Sequence, residues 1–226
     1  MTIDAVRALR DRPAKVLGHE SYFESAVIVP VIKHQGQECV VLEERSHQLK
    51  INPGEICFPG GRIEPEDGGA LQAAMRETCE ELGVKPNELD YIGPLDIMLT
   101  PFNLLIYPFV CEISEKAIIT PNTSEVQSVL YTPLDYLLDY EPLVNQVGVK
   151  MVIPADYPYD LIPHGRDYPW KDGSYDQYFY LWQDHTIWGL TARILNHFLT
   201  LLKSPEEPQL IKNCDCIVPG SDVNAR

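Results

Sequence analysis

The sequence predicts an α/β sandwich, a mixed sheet covered by helices. Two β-rich runs, residues 25–33 and 38–45, flank the turn-prone His34-Gln35-Gly36-Gln37 and read as a hairpin. A helix follows over about residues 69–82, with Gly83 placed to close it. A second helix is expected over about residues 185–202, where Ile187, Leu190, Ile194, Leu195, Phe198 and Leu201 recur at helical spacing.

The remaining elements fall between these landmarks. Residues 55–58 form a short extended piece that ends at Pro59-Gly60-Gly61. Further strands are expected at 91–99, 104–113, 126–132 and 147–153, with one more at 178–182. Pro133 introduces a short helix at 134–138. No internal repeat occurs, and a chain of 226 residues fits one domain over residues 1–203, followed by a flexible tail over 204–226.

Composition narrows the function classes. The chain is 45% hydrophobic and 23% charged, and no apolar run approaches the ~20 residues of a bilayer span. The N-terminal stretch mixes Asp4, Arg7, Arg10, Asp11 and Arg12 with few apolar positions, so it lacks the apolar centre of a secretion signal and a cytoplasmic protein is expected. A formal net charge of -15 disfavours nucleic acid and anionic membranes, which are held by Lys and Arg. A small anionic substrate stays compatible if cations stand between carboxylates and phosphates. Cys39, Cys57, Cys79 and Cys111 lie in apolar or helical stretches and read as free thiols; Cys214-Asp215-Cys216 falls in the tail, and no C-x-x-C spacing for zinc occurs.

The helix at 69–82 carries the chemistry. Leu71, Ala74, Met75, Thr78 and Leu82 share one stripe, whereas Glu77, Glu80 and Glu81 gather on another. Three glutamates at i, i+3 and i+4 repel one another, and they crowd the helix end that disfavours negative charge. A hard divalent cation reverses both penalties, because it takes carboxylate oxygens and leaves positions for water and substrate phosphates. Before the helix, Phe58-Pro59-Gly60-Gly61-Arg62-Ile63 runs into a double glycine that lets the backbone approach a bound group.

Gly60-Gly61, then Glu64, Glu66 and Asp67, then Arg76-Glu77, Glu80-Glu81 and Gly83-Val84 resemble the Nudix box, here at about residues 60–84. The general pattern is G-x5-E-x7-R-E-U-x-E-E-x-G-U, with U aliphatic. This sequence has Asp67 where Glu is usual, Arg76 one position late and Thr78 at the first U. That expansion resembles the coenzyme A pyrophosphatase branch. The segment from Leu42 through Arg45-Ser46, Leu49-Lys50 and Gly54 to Phe58-Pro59-Gly60-Gly61 also resembles that branch, with Lys50 where Arg is usual and Asn52 where His is common. Near the end, residues 188–193 look like the opening of the family's last helix.

The resemblance implies a Nudix-type α/β/α sandwich with a mixed central sheet, and hydrolysis of coenzyme A or acyl-coenzyme A to 3′,5′-ADP and (acyl-)4′-phosphopantetheine. It implies Mg2+ (or Mn2+) held by Glu77, Glu80 and Glu81, and a general base that is either Glu80 or Glu125, with Glu77 also in the catalytic set. Arg45, Lys50 and Arg62, with Gly60 and Gly61, are the expected substrate-binding positions, and Arg76 is expected to brace box carboxylates such as Glu66, Asp67 or Glu80. Two other readings stay open: a pyrophosphatase for another nucleotide conjugate such as NADH or ADP-ribose, and a nucleotide-sensing module without turnover. The expected partner is a small nucleotide, with no nucleic acid and no membrane; a homodimer is compatible with the sequence, though no residue pattern requires one.

Overall fold

A computed structural model describes residues 3–7, 9–10 and 16–204. The tail expected after Ser204, with Cys214 and Cys216, lies outside the described residues. In chain order the elements are α1 (Ile3–Arg7), β1 (Phe23–His34), β2 (Gln37–Arg45), β3 (Ile56–Cys57), β4 (Gly60–Arg62), α2 (Ala70–Leu82), β5 (Leu89–Pro94), β6 (Met98–Leu99), β7 (Leu104–Ile113), β8 (Val126–Pro133), α3 (Leu134–Asp139), β9 (Leu143–Val149), β10 (Gly173–Trp182), β11 (His185–Ile187) and α4 (Gly189–Lys203).

The main sheet runs β3-β2-β1-β7-β5, with β4 on β1, β6 on β7 and β8 on β2. It is mixed as expected. β1 lies parallel to β7, while the hairpin of β1 and β2 is antiparallel and turns at Gln35 and Gly36, both at positive φ. Alternation along β1 and β2 builds the layers. Ala26 and Ile28 meet Ala73 and Ala74 of α2, and Cys39 and Val41 meet Leu82 and Val84. The intervening Val29, Val40 and Leu42 face the other way, towards Leu195, Phe198 and Leu199 of α4. Helices therefore cover both faces, an α/β/α sandwich.

Three details depart from the sequence expectations. The strand at 91–99 is two strands, because β5 bulges between Tyr91 and Gly93 and ends at Pro94, which has no N–H to continue a ladder. The strand at 147–153 is shifted to Leu143–Val149, where pairing with β10 sets its limits, and β9, β10 and β11 form a separate three-stranded sheet. The last helix does not begin at His185. Gln183, at φ 53, turns the chain so that His185 pairs with Trp182, and Ile187 is buried from a strand before α4 starts at Gly189. Tyr157, Tyr159, Tyr168 and Trp170, together in sequence between β9 and β10, pack on one another, with the Arg166 guanidinium 4.6 Å from the Tyr159 ring.

Candidate functional site

The site forms where the end of α2 crosses β2, β4 and the loop before β8. Gly83 stops α2 at φ 67 and lies so close to the Thr120 carbonyl that no side chain fits. The loop is then tied to the helix end: Thr120 N–H donates to the Leu82 carbonyl at 2.9 Å and Asn122 N–H to the Glu81 carbonyl at 2.9 Å. Ser46 N–H, at the end of β2, donates to the Glu125 carbonyl at 2.7 Å. These bonds hold Glu81, Glu125 and Arg45 in one neighbourhood.

The three box glutamates are not equivalent. Glu81 is 5% exposed, and its Oε2 accepts from Gly60 N–H at 2.8 Å. On a helix wheel Glu81 stands about 60° from the packing residue Thr78, so the sheet covers it along with the apolar stripe. Glu77 is half-buried and Glu80 exposed. Both are drawn to Arg76, whose Nη1 lies 2.8 Å from Glu77 and 3.3 Å from Glu80.

Arg76 braces the box as the resemblance implies. Its Nε and Nη2 donate to Asp67 at 2.6 and 2.9 Å, a two-point pairing that suits a planar guanidinium, while Glu66 is not among these contacts. The Arg76 hydrogen bonds, with the Glu64 N–H, hold the Asp67 carboxyl down at about 2. A carboxyl depressed in the folded state stabilises the fold above its ordinary range near 4, and that contribution disappears as pH falls towards 2. The difference in unfolding stability between wild type and Asp67→Asn is therefore expected to be full at pH 5 and to vanish near pH 2, as read from urea melts across that range. A difference that persists at pH 2 would trace the effect to packing instead.

The double glycine works by close approach. β4 pairs antiparallel with β1, Gly60 opposite Val27 and Gly61 opposite Ala26. A Cβ on Gly61 would stand 2.5 Å from the Glu77 carboxyl carbon. Gly61 thus leaves room for Glu77, and Gly60 presents its N–H to Glu81. Of the other expected substrate contacts, Arg45 is half-buried with its Nε unpartnered, whereas Lys50 and Arg62 are exposed, the latter 5.9 Å from the Phe23 ring centroid.

A further acid joins them that the motif does not contain. Glu43 of β2 is 1% exposed; its Oε1 accepts from the Cys57 thiol at 3.4 Å and its Oε2 has no partner. Burial pushes its carboxyl up, and the nearby charges of Glu125 and Glu77 add to this against the opposing pull of Cys57 and Arg45. Burial pushes Glu81 up as well, reinforced by Glu43, Glu77 and Glu125 and opposed by the Gly60 N–H. The signal for Glu43 was present in the alternation of β2, where Cys39, Val41 and Glu43 share a face.

Among the described residues no three carboxylate, thiol or imidazole side chains already enclose an ion position. The donor set nevertheless fits a hard divalent cation. Its donors are carboxylate oxygens, Glu43 and Glu81 among them are buried, and Glu43 Oε2 is an orphan; positive charge would relieve each of these conditions.

Carboxylates gathered beside a glycine loop on an α/β/α sandwich form a class of site that can hold a hard cation with positions left for phosphate oxygens. A family model for the NUDIX domain matches residues 22–148, over half of the chain, and the chain belongs to the Nudix family. It is 33% identical over 139 residues to the Mus musculus peroxisomal coenzyme A diphosphatase NUDT7, covering 60% of this chain and 59% of that protein. Against Caenorhabditis elegans Nudix hydrolase 3 it is 30% identical over 196 residues, covering 84% of this chain and 78% of the relative. The Caenorhabditis elegans peroxisomal coenzyme A diphosphatase ndx-8 is 35% identical over 136 residues, 58% of this chain and 56% of that protein. The chain thus matches less than two thirds of the length of either diphosphatase. No helix among the described residues is long and apolar enough to cross a membrane.

Proposed function

We propose that the chain hydrolyses the pyrophosphate bond of coenzyme A or acyl-coenzyme A to 3′,5′-ADP and (acyl-)4′-phosphopantetheine, using Mg2+ or Mn2+ at Glu77, Glu80 and Glu81. The observation that carries this reading is the joining of two sequence features at one place. The segment resembling the coenzyme A branch supplies Arg45, and its half-buried guanidinium, with an unpartnered Nε, is near Glu43, whose carboxyl also feels the charges of Glu77 and Glu125. The names of two relatives support the same substrate.

The cation supplies charge neutralisation and polarisation of the phosphoryl oxygens. Arg45 binds a substrate phosphate in a poorly solvated position, where a guanidinium is worth more than at the surface. Lys50 and Arg62 meet phosphates from the exposed rim. Glu125 is the better placed of the two bases. It sits on the loop tied to Glu81 and Ser46, while Glu80 is engaged by Arg76. Arg76 keeps Glu77 in place beside Gly61. A single domain over residues 1–203 performs this chemistry.

The purified protein is expected to release 3′,5′-ADP from coenzyme A in millimolar Mg2+, with NADH and ADP-ribose cleaved far more slowly, as separated by chromatography. Cleavage of NADH or ADP-ribose alone would keep the phosphoryl chemistry and sink the substrate. No cleavage of any of the three would favour a nucleotide sensor.

A further inference from the structure

We infer that Glu43 is an additional ligand of the divalent cation, reaching it from the sheet and not from the glycine loop or the helix. The inference rests on the reading of Glu77 and Glu81 as cation ligands. It starts from the inward row of β2. Cys39 and Val41 pack on Leu82 and Val84, and an apolar residue at the next inward position would continue that contact. The sequence places a carboxylate there.

Glu43 is 1% exposed, so water does not solvate it. The Cys57 thiol, a weak donor, reaches Oε1 at 3.4 Å and leaves Oε2 bare. Arg45 does not fill the gap; the Oε2 of Glu43 and the Nε of Arg45 are both without hydrogen-bond partners. The other charges felt at this position are those of Glu125 and Glu77, and Glu43 is the strongest charged neighbour of Glu81. Buried polar atoms are nearly always satisfied, and a buried carboxyl oxygen left without a partner takes up either a proton or a cation; the acids gathered here supply the further oxygen donors that a cation needs. Oxygen donors of this kind select Mg2+ or Mn2+ over softer ions.

Mn2+ binding to the full chain, followed by the loss of the free-ion electron paramagnetic resonance signal, tests the assignment without turnover. Glu43→Gln is expected to weaken the tightest Mn2+ site at least tenfold, with a melting temperature in EDTA equal to or above that of wild type. Cys57→Ala, which removes the thiol contact and keeps the carboxylate, is expected to bind within twofold of wild type. Wild-type affinity in Glu43→Gln would overturn the assignment, and so would an equal loss in Cys57→Ala, since the effect would then be structural. If Glu43→Gln does not fold, Glu43→Asp withdraws the same charge by one methylene and should weaken binding; unchanged affinity there would also overturn it. Glu77→Gln separates the two readings. If it loses Mn2+ while Glu43→Gln keeps it, only Glu43 is reassigned; if wild type binds no Mn2+ at millimolar concentration, the cation-dependent function falls first.

Discussion

Glu81→Gln is expected to lose about a thousandfold in kcat/KM for coenzyme A while melting, in EDTA, at or above the wild-type temperature. The two halves of this result have one cause. Glu81 is 5% exposed among Glu43, Glu77 and Glu125, and its charge is disfavoured first by burial and then by those neighbours. A glutamine oxygen still accepts the Gly60 N–H, so the local fold keeps its hydrogen bond while the like-charge repulsion is gone. The activity loss corresponds to several kcal/mol of transition-state stabilisation, at 1.36 kcal/mol per tenfold, which is the scale expected when a ligand of an essential cation is removed. Stability held against function is what a site built from crowded acids predicts. A variant that melts several degrees lower yet retains activity would make Glu81 a structural acceptor for the glycine loop and remove it from the cation site.

Much of this site was legible in the sequence because local rules set it. The spacing of Glu77, Glu80 and Glu81, the stop at Gly83 and the hairpin around Gly36 depend on helix period, left-handed backbone and turn chemistry, which a single segment carries. What stayed hidden depends on which element covers which. The helical wheel separates an acidic face from an apolar one, but only the position of the sheet decides that Glu81 is covered while Glu80 is not. Glu43 follows the same logic: its inward direction can be read from alternation, but its closeness to Glu81 and Glu125 comes from α2 and the loop before β8 crossing β2. The start of α4 was missed for a different reason. Ile187 fits the helical repeat of Leu190 and Ile194 by number, yet a turn at Gln183 commits it to a strand, and periodicity does not register a change of element.

Gly60→Ala and Gly61→Ala are expected to separate fold from site within one dipeptide. Gly60 has φ 148, a conformation L side chains rarely adopt, and its added Cβ would collide with the Ala26 carbonyl and lie 2.6 Å from the Val27 Cα. Those are backbone atoms of β1, held between β2, β4 and β7, so the neighbour cannot yield without moving a central strand. Backbone strain and overpacking together are expected to cost about 4 kcal/mol, or roughly 8–16 °C in melting temperature for a chain of this size. Gly61 has no such backbone collision. Its Cβ would meet the Glu77 carboxyl group, with Cδ at 2.5 Å and the oxygens at 2.6 and 2.9 Å, and a side-chain end can swing aside. Gly61→Ala should therefore melt within a few degrees of wild type and lose activity and Mn2+ affinity because Glu77 is displaced. Melting curves and Mn2+ titrations of the two variants read this directly. An equal fall in melting temperature for both would mean that Glu77 is held rigidly by Arg76 and that its position is part of the fold; full Mn2+ affinity in a well-folded Gly61→Ala would remove Glu77 from the cation site.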